Sequence, residues 1–262
     1  MANKVYPNFV LENQFEDQYN SKLDLMRFCT VDSSLEMSPG MTVKINRYQC
    51  TTNNTEALGV GEGNTKTIEV TYTQTPYEVI CLQNRAKFHD EEAMQDPVAI
   101  EHLLDYAAVD IFNAANDRAM AQFNGATLSV NVTKFDFDAF VDGVAIFPNN
   151  ENEALEIFAL VHPDNKAEIK KNLKEDLKYI TDYVSTGYIG TVNGVNLYTS
   201  NLATKDTVIL ATKDAVTYFN KKGAEVEQVR SDANTRENIM YTRKYGVFAL
   251  TNASRAVKIV KS

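Results

Sequence analysis

Three stretches of this 262-residue sequence hold residue types that could do chemistry, and each also has a plainer reading. Gly59, Gly61 and Gly63, followed by Asn64-Thr65-Lys66, suggest a loop that cradles phosphate. Such a loop needs a Lys followed by Ser or Thr at a set distance from the first Gly, and it opens a helix whose amides meet the anion. Thr67 does follow Lys66, but the spacing from Gly59 fails and the next residues alternate like a strand, so a flexible loop tip is the simpler reading. His89-Asp90-Glu91-Glu92 could offer metal ligands. Adjacent side chains on a helix or turn diverge, so a site would need donors from elsewhere, and an acidic lead-in to a helix explains the run as well. Asp136 and Asp138 flank Phe137 as a carboxylate pair of the kind used in acid–base work. Asp136 more simply caps the helix that follows.

The remaining candidates are thinner. His102 and His162 sit in no HExxH pattern, and no GxSxG elbow is present. Cys29, Cys50 and Cys81 are odd in number and show no CxxC spacing, which argues against a disulfide framework or a zinc site. Asn53, Asn131 and Asn252 begin glycosylation sequons that carry no meaning without secretion. The expectation is a chain with no catalytic, cofactor-binding or metal-ligating residues.

Composition narrows the class. A net charge of −9 argues against a dedicated nucleic-acid binder, which needs clustered Lys and Arg, but not against a container whose acidic wall surrounds nucleic acid. With 44% hydrophobic and 23% charged residues, the chain has the makings of one large or two modest folded domains. Met1 to Leu11 lacks a signal-peptide core, and no run approaches the roughly 18 apolar residues of a membrane span. Synthesis in a cytoplasm, with no membrane partner, is expected.

The elements that must position these residues come in an unusual order. Tyr6, Phe9, Phe15, Tyr19 and Phe28 are scattered among charges without a helical stripe, up to the punctuation at Ser38-Pro39-Gly40. Such an arm either packs on its own domain or on a neighbour. Thr42 to Tyr48 and Thr67 to Thr73 alternate as two strands joined by a long connection, and connections of that length are usually functional or mobile. Asp96 as N-cap, Pro97 at the first helical position and Gly125 at the end bracket a helix about 40 Å long. Its stripe runs through Ile100, Leu103, Leu104, Ala107, Ala108, Ile111, Ala114 and Ala115. Beyond it the pattern predicts a helix over Phe135–Phe147, a strand over Ala154–Val161 and a helix over Asn165–Tyr183. Strands follow over Tyr188–Val192, Val195–Thr199, Thr207–Ala211, Ala215–Phe219, Met240–Leu250 and Val257–Val260, with Asn193-Gly194 as a type I′ hairpin turn. The class is α+β.

An arm, a projecting hairpin, a rod-like helix, an α/β lobe and a strand-rich end resemble the major capsid proteins of tailed phages, the Hong Kong 97-type fold. Local phrases carry the same resemblance: Asn8-Phe9-Val10-Leu11-Glu12 through Lys22-Leu23, Gly194 to Leu202, Tyr245-Gly246-Val247, and Ala253 to Ile259. The likeness implies an N-arm at 1–40, an extended loop at 41–95 and a peripheral domain with its spine helix at 96–134. An axial domain at 135–204 and a return to the peripheral domain at 205–262 complete it.

By the same resemblance the chain is a shell subunit and not an enzyme, forming hexamers and pentamers around double-stranded DNA that it binds without sequence specificity. A separate scaffolding protein and a portal are implied partners, and the virion the final location. Tyr6, Phe9, Asn54, Gly59, Gly61, Gly63 and Lys66 are the implied intersubunit contacts. Lys66 lies near the region where some relatives crosslink, though no residue pattern here identifies an acceptor. An encapsulin-type shell around an enzyme cargo is the first rival, an unrelated soluble binding module the second. If the first forty residues and the glycine-tipped ribbon buried all their apolar side chains on their own body, the shell reading would fail.

Overall fold

The computed structural model describes residues 24–36, 38–50, 54–147, 155–173, 190–232 and 234–262. Along the chain come strands β1 (Thr30–Asp32), β2 (Thr42–Cys50), β3 (Val70–Glu78) and β4 (Ile80–His89), then helices α1 (Asp90–Gln95) and α2 (Pro97–Asn124). Next are β5 (Leu128–Val132), α3 (Phe137–Ala145), β6 (Phe158–Val161) and α4 (Pro163–Asn172). The described residues from 190 onward hold strands β7 (Thr191–Val192), β8 (Val195–Thr199), β9 (Thr207–Ala211), β10 (Val216–Asp232), β11 (Glu237–Leu250) and β12 (Ala256–Lys261), with one 3-10 turn at Ala253–Arg255.

The central sheet runs β5-β12-β9-β6-β8-β7, with mixed parallel and antiparallel neighbours. Its middle strands read as unbroken apolar runs because both faces are covered. Phe158, Leu160, Ile209 and Ala211 face Ala115, Ala119, Met120 and Phe123 of α2. Their sequence neighbours Ala159, Val161, Val208 and Leu210 point the other way, onto Ala139 and Phe140 of α3 and Ile169 of α4. Two-residue periodicity thus divides one sheet between two cores.

Helix α2 begins and ends where its caps predict. Asp96 accepts a hydrogen bond from the Val98 amide, Pro97 takes the first turn, and the Gly125 amide closes on Ala121 and Gln122 carbonyls. Ala107, Ile111 and Ala115 of the expected stripe are buried while Ala108 is exposed; the side chains of Ile100 and Leu104 lie outside the described part. The helix also holds the segment that enters the body. Buried Asn116 accepts the Leu25 amide at 3.0 Å, and Leu25, Phe28 and Cys29 sink into the α2 core. β1 then pairs in parallel with the start of β10. Residues 24–32 are therefore packed on their own body, whereas Tyr6, Phe9, Phe15 and Tyr19 lie outside the described residues.

A second sheet, β1-β10-β11-β4, lies alongside α2. Here the structure departs most from the sequence reading. The expected strands Ala215–Phe219 and Met240–Leu250 are parts of one long hairpin, β10–β11, that continues through the polar stretch 220–239. β4 and β5 were not foreseen. The second strand of the projecting hairpin is displaced, to Val70–Glu78. The strand expected from Ala154 is short, and the helix expected over Asn165–Tyr183 is formed over Pro163–Asn172; residues 148–154 and 174–189 lie outside the described part. At Asn193-Gly194 both residues have positive φ, 48° and 75°, as the turn type requires.

Candidate assembly interface

The residues that could have done chemistry serve the backbone instead. Asp136 accepts the Ala139 amide at the start of α3, and His162 accepts the Asp164 amide at the start of α4. Burial works to raise the Asp136 carboxyl, but Lys134 and the Ala139 amide outweigh it and hold it below the usual range. The His89 amide donates to Glu92 in a capping box that opens α1. The Cys29 thiol is buried against the Leu25 carbonyl, and burial pushes it up to about 12. Among the described residues no cluster of His, Cys, Asp and Glu could hold a metal, and no helix is long and apolar enough to cross a membrane.

The unusual feature is the β2–β3 ribbon, a two-stranded sheet of its own. Its register pairs Thr42 with Glu78, Tyr48 with Tyr72 and Cys50 with Val70. Residues opposite each other share a face, so the apolar residues of the two strands do not all meet. Val43 and Ile45 lie half-buried with Tyr77, and Arg47 on that face donates to the Leu250 carbonyl at 2.7 Å. Tyr48, Val70 and Tyr72 take the opposite face and are 68%, 58% and 67% exposed, the two tyrosine rings 6.2 Å apart. Ile68, next in the alternation, is exposed as well. A side chain of this size contributes roughly 1.5–3 kcal/mol on burial, which these four forgo on their own body.

The connection between the strands is tied to itself. Asn54 donates to the Thr67 carbonyl at 2.8 Å. Glu56 takes the Thr65 amide on one carboxylate oxygen and the Thr65 hydroxyl on the other, both at 2.8 Å. These bonds, the Thr65 amide foremost, hold the Glu56 carboxyl below the usual range. Farther out, Glu62 caps the Gly59 amide at 2.9 Å, Gly61 turns with φ of 86°, and a side chain at Gly63 would meet open space. Lys66 donates its amide to Asn64, and Leu58 and Val60 stand exposed at the tip.

The structure thus brings Asn54, Gly59, Gly61, Gly63 and Lys66 onto one loop. Sequence reasoning expected this loop to find its partners elsewhere; several of its polar groups bond within the loop, while Leu58 and Val60 are exposed. Glu56 and Glu62, which organise it, were missed. The signal was there as carboxylates placed to cross the neck of a loop rich in amides. Tyr48 was missed because its side of the ribbon depends on register.

No protein-family model matches the chain. It is similar to a major capsid protein of Staphylococcus phage phiMR11, with 24% identity over 99% of this chain and 94% of that one. Among solved structures, the capsid of cyanophage P-SCSP1u superposes with a TM-score of 0.69 and 12% identity, covering 92% of this chain and 89% of the other. The holo-SrpI encapsulin of Synechococcus elongatus PCC 7942 superposes at 0.62, with 11% identity over 90% and 86%. The fold is the Hong Kong 97-type capsid fold, α+β.

Proposed function

We propose that this chain is the structural subunit of an icosahedral phage head, assembling into hexamers and pentamers that enclose double-stranded DNA. One observation carries the reading: a ribbon holding Tyr48, Ile68, Val70 and Tyr72 in solvent, in a chain whose fold is that of shell proteins. Contiguous exposed apolar surface marks an interaction site, and a shell subunit meets several neighbours, so its contacts are spread over projections rather than one patch. The intersubunit residues are Asn54, Gly59, Gly61, Gly63 and Lys66 on the loop, with Tyr6 and Phe9 on the arm.

The division of labour is an N-arm at 1–40, an extended loop at 41–95, a peripheral domain at 96–134 completed by 205–262, and an axial domain at 135–204. The chain performs no catalysis. It is made in the host bacterial cytoplasm, works with a separate scaffolding protein and a portal, and holds DNA without reading sequence. Deleting residues 52–64 is expected to leave soluble subunits or capsomers and no closed shells in negative-stain micrographs. Normal particles from that deletion would overturn the loop assignment. An encapsulin role is favoured only by the shared fold. Large particles holding nucleic acid separate the head reading from particles holding a co-purified enzyme.

A further inference from the structure

A hollow of about 320 Å³ opens at the root of the ribbon, where the end of β3 meets β4, α2 and β11. That volume is at the small end of what takes a small molecule, roughly 300–1,000 Å³. Buried Ala115, Tyr218 and Phe248, with half-buried Leu82, give it an apolar and aromatic lining. Its charged lining residues are two cations, exposed Arg118 and half-buried Lys244, against one exposed carboxylate, Glu78. Among the described residues neither cation forms an ion pair. The Lys244 ammonium rests 5.4 Å from the centre of the Tyr218 ring and 3.9 Å from the Met26 sulfur. Burial lowers its pKa, and Asp24, acting through space, opposes that only in part. A desolvated ammonium in this setting is matched by an anion that brings apolar surface of its own, since a strongly hydrated ion would give up its water to reach it. Two cations against one carboxylate favour a single negative charge, and a planar carboxylate suits the guanidinium fork. The Tyr218 and Phe248 rings, 4.6 Å apart, offer aromatic surface on which a flat ring packs.

We propose that this hollow binds a small aromatic carboxylate, its ring against Leu82, Tyr218 and Phe248 and its acid group held by Lys244 and Arg118. Pro76, Tyr77 and Glu78 at the end of β3 also line the hollow, so the occupant braces the root of the ribbon against α2 and β11. The site needs a single chain only, so it stands or falls apart from the shell reading.

The test uses the full, unassembled chain with 4-benzoylbenzoate, a photoreactive aromatic carboxylate, and maps the labelled residues by mass spectrometry. Saturable labelling at Leu82, Tyr218 or Phe248 is expected. It should be displaced by 2-naphthoate and not by neutral 2-naphthamide or inorganic phosphate at the same concentration. In calorimetric titration with 2-naphthoate, Lys244→Met, which keeps an apolar stem, should weaken binding about tenfold or more. Exposed Arg118→Gln should weaken it about threefold, and exposed Glu78→Gln should tighten it about twofold. These two substitutions lie at the surface and put nothing into the core, so they read the charges apart from folding. Three results overturn the proposal: labelling that is unsaturable or confined to other parts of the chain, displacement by the amide or phosphate as effective as by naphthoate, or naphthoate binding indifferent to both Arg118→Gln and Glu78→Gln.

Discussion

Two long antiparallel hairpins leave the same body and are held in opposite ways. β10–β11 is flanked by β4 over ten consecutive register pairs and backed by α2. Buried Ile239 and Met240 lie in β11, and Asn84 of β4 donates to the Ala107 carbonyl of α2 at 2.6 Å. Across its outer face Arg243 joins Glu225, Glu227 and Gln83, and Asp90 of α1 binds Arg230 and Asn238 near the far end. Among the described residues the β2–β3 ribbon pairs with no third strand; it has the Arg47 tether, one half-covered face and a self-bonded loop. An isolated two-stranded hairpin is marginal in water. One hairpin is thus completed by its own chain, while the other leaves Tyr48, Val70 and Tyr72 in solvent.

That contrast orders the expected effects of substitution. Met240→Ala empties a core site and should cost about 2–5 kcal/mol in chemical denaturation. A loss below 0.5 kcal/mol would mean that the longer hairpin is also held weakly. Arg243→Ala removes a three-partner surface network and should cost far less than Met240→Ala, with the difference shrinking in high salt. Tyr48→Ala with Tyr72→Ala should change the stability of the unassembled chain by no more than about 0.5 kcal/mol. The same pair should nonetheless abolish closed shells in micrographs. A destabilised monomer would erase the distinction between the hairpins.

The smallest effect is local. Glu56 has its carboxyl held below the usual range, so its grip on Thr65 is fully present above the ordinary glutamate pKa and is lost as pH falls through the lowered value. Hydrogen exchange at the Thr65 amide, corrected for its intrinsic pH dependence, should accelerate across that acid window while amides of β10–β11 stay protected. Glu56→Gln should shift the onset and flatten the transition. Equal protection at all pH values would show that the neck is held by something other than this carboxylate.

The Asp136 cap, the caps of α2 and the Asn193-Gly194 turn share one reason for having been legible: each is set by residues only a few positions apart. The long connection between β2 and β3 was visible for a related reason, since Gly59, Gly61 and Gly63 interrupt two alternating runs. Residues 222–232 were not legible as strand. They carry Lys222, Glu225, Glu227 and Arg230 with Ala224, Val226 and Val229 among them, and no apolar alternation says that β11 will pair with them on either side of the register breaks. β4 had its alternation in Ile80, Leu82, Ala86 and Phe88, but the small Ala86 and polar Asn84 dilute it until α2 supplies the surface they face.

By itself the sequence determined where α2 begins and ends, where the chain turns at Asn193-Gly194, and that a long glycine-tipped loop joins two alternating runs, because capping and turn chemistry act over a few bonds. Only the tertiary structure decided which face of the ribbon stays wet. The Tyr48–Tyr72 register leaves both rings in solvent, and because side chains alternate with a period of two, a one-residue slip between the strands would turn one set to the other face.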